Sequence, residues 1–220
     1  MPNRVPTPKD RLTPADLAFL IDVLGRDGND DALQALLGDE EAFLQILDLP
    51  AVFQALINSP AIVDVSPRFY FYVMARHVFR RAGLDDVPVT EYVSTVLTDR
   101  LSSARRRTHD TPPNYVVDFL ERIQSSHGGA RFDWWVAAGD HFLVLTGLYP
   151  EFIRRRTEDH GAPSLDFYEK FGSQAYRAAS DHPRARESDL TGTLHRLSEA
   201  FGETRRALNQ IAEDYLFLSN

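Results

Sequence analysis

The 220-residue chain contains no cysteine, which removes disulfides, thiolate zinc sites, iron–sulfur clusters and thiol nucleophiles from consideration. Lys9 and Lys170 are its only lysines, so nearly all positive charge is arginine, a planar group suited to carboxylates and phosphates. Its longest strongly apolar stretch, Phe69 to Ala75, is far shorter than the ~20 residues a membrane span requires. No segment alternates with period two between turn signals, which predicts no sheet. No repeat recurs at a spacing of about 20–50 residues, which argues against a solenoid. The chain also lacks a G-x-S-x-G elbow, a P-loop, a dinucleotide fingerprint, an HExxH motif and a Glu-x-x-His pair, so the common hydrolase, nucleotide, zincin and di-iron signatures are missing. With a net charge of −8, the chain repels polyanions, so neither nucleic acid nor an anionic membrane is an expected partner. The opening MPNRVPTPKDRL has three prolines and no apolar run. It reads as a flexible arm over 1–12 rather than a signal peptide, and the expected location is cytoplasmic.

What is present is ordinary for a folded domain: 43% hydrophobic and 25% charged residues. Its strongest pattern is a C-terminal stripe of Leu190, Leu194, Leu197, Phe201, Thr204, Leu208, Ile211 and Tyr215, spaced alternately by four and three residues. That spacing keeps one helical face inward and predicts a long closing helix over about 189–216. Thr13-Pro14, Asp39, Ser66-Pro67 and Ser164 read as helix starts. The segment 67–82 is apolar or aromatic on every side in its first half, which predicts a central helix. Further helices are expected over 30–37, 39–47, 51–58, 90–102, 115–124 (capped by Asn114), 130–146 (ended by Gly147), 150–156 and 165–180. The fold class is therefore all-α: a multi-helix bundle forming one domain over 13–220, with 13–58 as a candidate cap on the main bundle.

Three groups of residues are candidates for function. Asp140 falls in an apolar helix behind Ala137-Ala138-Gly139, where a carboxylate needs a partner. It serves either as a structural acceptor or, with His141 and with His77 of the central helix, as a ligand- or metal-binding site. Tyr168, Gly172 and Tyr176 share a face at four-residue spacing, with Gly172 as a notch for a packed helix, a partner or a small aromatic ligand. The triplets Arg105, Arg106, Arg107 and Arg154, Arg155, Arg156, with Arg80-Arg81, are anion-binding candidates if the triplets converge; otherwise they complement helix C-termini.

Gly139-Asp140-x2-Leu143-x3-Gly147-Leu148-Tyr149-Pro150-Glu151, followed by Phe167-Tyr168-x3-Gly172-x3-Tyr176, resembles a loose group of uncharacterised bacterial proteins predicted to be helical. The resemblance covers about residues 130–180; it implies a shared helical core and carries no activity, cofactor or partner. His109-Asp110 is similar to the pair of the HD phosphohydrolases, all-helical metal enzymes, but sits beside Pro112-Pro113 rather than inside a helix. The sequence thus favours an interaction or scaffold protein that engages a protein partner or itself, with no catalytic residues and no cofactor. The alternatives are a small-ligand or metal-binding protein and a metal-dependent phosphohydrolase.

Overall fold

Helix starts follow the capping chemistry written in the chain. Helix α1 (Pro14–Leu24) opens with a capping box: the Thr13 hydroxyl accepts from the Asp16 N–H, and the Asp16 carboxylate accepts from the Thr13 N–H at 2.8 Å. Asp39 caps α2 (Glu40–Leu47) by accepting from the Ala42 N–H. Proline opens α3 (Pro50–Asn58) and α4 (Pro67–Arg81), and the Ser66 hydroxyl caps α4. The computed structural model describes residues 12–25, 39–58, 65–105 and 115–216, and among these it holds twelve α-helices and no strand. The remaining helices are α5 (Val87–Arg105), α6 (Val116–Ser125), α7 (Gly128–Leu148), α8 (Pro150–His160), α9 (Leu165–Ser180), α10 (Pro183–Glu187), α11 (Thr191–Glu199) and α12 (Phe201–Ile211), followed by a π-helical turn, Ala212–Leu216. The expected helix over 30–37, the arm over 1–11, and His109-Asp110 with its flanking prolines lie outside the described residues.

Several boundaries differ from the sequence reading, each for a local reason. Helix α5 starts at Val87, ahead of Thr90, because Asp86 accepts from the Val89 N–H at 3.0 Å. Tyr115 occupies the cap position of α6 rather than its first turn and makes no side-chain cap bond. Helix α7 continues through Gly147 to Leu148. Gly147 does not stop it because that glycine is buried against α12. Helix α8 runs on to His160, where Gly161 at φ +63° turns the chain. The short helix α10 forms inside what reads as a polar connection over 181–187.

The largest correction concerns the C-terminal stripe. The single helix over 189–216 is interrupted at Ala200 (φ −99°, ψ 25°), which ends α11 and precedes α12. No proline marks the break, and Gly202 stands two residues beyond it, in the first turn of α12. Backbone groups at the break are satisfied by side chains: the Ser173 hydroxyl of α9 donates to the Ser198 carbonyl at 2.7 Å, and the Thr204 hydroxyl donates to the Ala200 carbonyl at 2.8 Å. The seam itself stays inward across the break, with Leu194, Leu197, Phe201, Thr204, Leu208 and Ile211 all buried within the one chain. Tyr215, at the end of the stripe, sets its ring edge-on to Phe53 of α3 at 5.4 Å.

Three glycines set how closely the core helices approach. A Cβ on Gly139 of α7 would fall 2.5 Å from Tyr176 Cδ1 of α9, and one on Gly147 would fall 2.7 Å from Leu208 Cβ of α12. A Cβ on Gly172 of α9 would meet the Phe201 ring of α12. Each pair within α7, α9 and α12 is therefore closed at a position where only glycine fits. Around this trio, α4 packs against α5 and α12, α11 packs against α9 and α5, and α1 and α3 join on the α4 side. Buried apolar residues from Leu20 to Ala212 form one contiguous cluster. Two polar ties hold the N-terminal helices to it. Asp16, fully buried, also accepts from the Ser66 N–H at 2.7 Å and from its hydroxyl at 2.8 Å. Arg76 of α4 holds Asp48 through Nε at 2.7 Å and Nη2 at 3.0 Å, with Asp85 at 2.6 Å from Nη1.

Candidate functional site

Helix α7 divides two concave surfaces, and adjacent residues on it face each of them. Successive helical residues point about 100° apart, and here Asp140 and His141 line different concavities, although the Arg100 charge acts on both. Asp140 lies on the side of a wide groove of about 1050 Å³. His141 lies on the side of a smaller cavity of about 230 Å³.

On the groove side, Asp140 Oδ1 accepts from the Tyr92 hydroxyl of α5 and from the Tyr176 hydroxyl of α9, both at 2.8 Å. Gly139 makes this geometry available, because Tyr176 crosses where a Cβ would stand. The carboxylate, half-buried on the groove wall, thus joins α5, α7 and α9. Burial pushes Asp140 up from 3.8 to about 6, against the two phenol hydrogen bonds and the Arg100 charge, which lower it, while Asp99 adds to the rise. The same burial, with the nearby Asp140 charge, drives Tyr92 and Tyr176 well above the ordinary phenol value. The groove is acidic, with Asp85, Asp86, Asp99 and Asp189 on its walls, and Arg196 there pairs with Asp86 at 2.8 Å.

On the other side, the cavity gathers residues from five chain segments. Tyr115 comes from the start of α6, His141 and Leu145 from successive turns of α7, and Phe152, Ile153 and Arg156 from α8. Ala162 and Pro163 come from the α8–α9 turn, and Tyr168 comes from the first turns of α9. That turn is fixed by Gly161, by the Ala162 N–H donating to the Arg156 carbonyl at 3.2 Å, and by the Thr157 hydroxyl donating to the Pro163 carbonyl at 3.0 Å. One wall is aromatic. His141 lies 5.3 Å from the Phe119 ring and 4.9 Å from the Phe142 ring, and Phe142 stacks on Tyr168 at 5.4 Å. His141 Nε2 is buried without a hydrogen-bond partner. Burial accordingly pulls the imidazole down from 6.5 to about 4, with the Arg100 charge acting in the same direction, so the ring is neutral at physiological pH. At the rim, the Arg156 guanidinium carbon lies 5.6 Å from the centres of both the Tyr115 and Phe152 rings. Burial raises the Tyr168 phenol; the Arg156 charge opposes that rise and Tyr115 adds to it, so the three polar ends share one region.

The sequence candidates therefore regroup. Asp140, His141 and His77 do not come together: His77 stacks on Phe53 at 3.6 Å in another part of the bundle. Among the described residues no three His, Asp or Glu side chains gather in a way that could hold a metal ion. The Gly172 notch is filled by Phe201 of the same chain, and Tyr176 turns to Asp140 instead of to a ligand. Of the second arginine triplet, Arg154 pairs with Glu151 at 2.8 Å, Arg155 is exposed, and Arg156 reaches the cavity. The side chains of Arg105, Arg106 and Arg107 lie outside the described residues, and so does the question of convergence. Three residues singled out by three separate arguments, His141, Tyr168 and Arg156, thus line one cavity. The sequence reading missed Tyr115 and Phe152, whose only signal is an aromatic near a helix start, and Tyr92, which reads as one more inward residue of its helix. Comparison with protein-family models, curated proteins and solved structures finds no match.

Proposed function

We propose that the protein is a helical binding protein whose ligand site is the cavity between α7, α8 and α9, and that it works by holding a small ring-bearing ligand rather than by transforming one. The observation that carries this reading is the meeting of His141, Arg156 and Tyr168 in a concave, largely aromatic space. Apolar pockets with a few convergent polar groups are the usual form of small-molecule sites. At about 230 Å³ the cavity is below the roughly 300–1,000 Å³ of drug-sized sites, so it suits a single ring. Among the described residues that line it, no nucleophile stands beside a base, which favours binding over catalysis. Ligand-observed NMR with a panel of single-ring compounds of differing charge tests the reading. At least one should bind the wild-type chain and lose its signal when Leu145→Trp fills the cavity. Binding by none, or equal binding by the filled variant, contradicts the reading.

A second reading, docking of a protein partner or of another copy of this chain, draws on a different observation. Val117, Tyr149 and Phe167, on or beside the same helices α6, α8 and α9, are between 43% and 68% exposed, as are the cavity-lining Tyr115 and Phe152 at 52%, and exposed apolar surface often marks contact surfaces. Light scattering across a concentration series tests it: a mass that rises with concentration supports self-association, and a constant monomer mass contradicts it.

A further inference from the structure

The cavity carries information about the charge of its ligand. Arg156 is the only charged side chain among the described residues that line it. It is flanked by Tyr115 and Phe152, and it forms no ion pair among the described residues, whereas its neighbour Arg154 is held by Glu151. A guanidinium lying against aromatic faces keeps its planar fork of donors available at the edge. The Tyr115 and Tyr168 phenols stand in the same electrostatic neighbourhood and can donate as well. Away from this polar end the lining is Leu145, Phe152, Ile153, Ala162 and Pro163. His141 contributes a neutral ring to the wall. The arrangement is therefore a ring-sized, partly open apolar pocket, with Tyr115 and Phe152 each 52% exposed and with one lining cation, Arg156, that makes no ion pair among the described residues.

We propose that the ligand is a single-ring aromatic carboxylate, its ring packed against Phe152 and Tyr168 and its carboxylate held by Arg156 at the rim. This rests on the cavity being a ligand site, and it adds the sign of charge and the chemical class. Planar carboxylate and planar guanidinium match as a two-point pair. The overall charge of −8 gives no long-range attraction for an anion, so selection must come from this local group.

The test uses the full chain and titration calorimetry with phenylacetate, its neutral isostere phenylacetamide, and acetate, which lacks the ring. Phenylacetate should bind, phenylacetamide should bind about tenfold more weakly or worse, and acetate should not bind measurably. Arg156→Gln should weaken phenylacetate by about tenfold while leaving phenylacetamide unchanged, which collapses the ratio between them. Phe152→Ala should weaken both ring compounds alike. Equal affinity of the amide and the acid for the wild-type chain, or an unchanged ratio in Arg156→Gln, overturns the anion assignment while leaving the cavity as a neutral-ligand site. Binding of neither ring compound overturns both the assignment and the function on which it rests. Acetate binding as tightly as phenylacetate overturns the packed-ring geometry.

Discussion

Asp140 and His141 are neighbours whose titrations should push stability in opposite directions, and that opposition can be measured. Asp140 has its pKa raised from 3.8 to about 6 in the folded chain. Its contribution to stability is full below 3.8 and is lost as pH rises through about 6. His141 has its pKa lowered from 6.5 to about 4. Its contribution is full above 6.5 and is lost as pH falls through about 4. Near pH 5 the folded chain therefore favours a neutral carboxyl beside a neutral imidazole, while the unfolded chain carries a carboxylate beside an imidazolium. Each displacement is worth roughly 3 kcal/mol at about 1.4 kcal/mol per pH unit, and in the wild type the two nearly cancel. Asp140→Asn keeps an oxygen for the Tyr92 and Tyr176 hydroxyls but removes the acid. Relative to wild type it should lose about 3 kcal/mol as pH falls from 6.5 to 4. His141→Gln should show the reverse, gaining a similar amount relative to wild type over the same fall. The assay is urea unfolding followed by far-ultraviolet circular dichroism across that range, read as variant minus wild type so that other titrating groups drop out. Differences flat with pH in both variants would refute the claim that partial burial displaces these two groups in opposite directions.

Further predictions follow from the packing. Gly139→Ala should destabilise by about 1–3 kcal/mol through its clash with the Tyr176 ring, although alanine favours a helix by about 1 kcal/mol; a stabilised variant in thermal unfolding would contradict the close approach of α7 and α9. Asp16→Ala removes the acceptor for the Thr13 N–H, the Ser66 N–H and the Ser66 hydroxyl, at a cost of about 3 kcal/mol; a loss below about 0.5 kcal/mol in denaturant unfolding would mean that the clamp between α1 and α4 does not hold. Arg76→Met leaves Asp48 mostly buried with only Arg80 beside it, and should cost about 3–5 kcal/mol by the same measurement.

The elements best read from sequence are those whose start is written in one or two residues. Thr13-Pro14, Asp39, Ser66-Pro67 and Ser164 each cap a helix as their side-chain chemistry dictates. Helix ends were less legible. Gly147 reads as a stop because glycine disfavours helix, but here its missing Cβ makes room for Leu208. The break at Ala200 has only the nearby Gly202 as a local mark, because the four-three spacing of the stripe is indifferent to it and the compensation comes from Ser173 of α9, 25 residues away from Ser198 in sequence. The site follows the same rule. Asp140 needed a partner on physical grounds, and which phenols supply it depends on how α5 and α9 pack. The cavity is assembled from residues 115 to 168, so no spacing along the chain could announce it.

The central claim is that the cavity beside His141 is where this protein holds its ligand. Intermolecular NOEs between bound phenylacetate and the aromatic side chains of the full chain test it most directly. NOEs are expected from the ligand ring protons to the Phe152 and Tyr168 rings and to the Leu145 methyl groups. NOEs confined to residues of the acidic groove, such as Tyr92 or Val96, or to the exposed Val117 methyl groups alone, would contradict it.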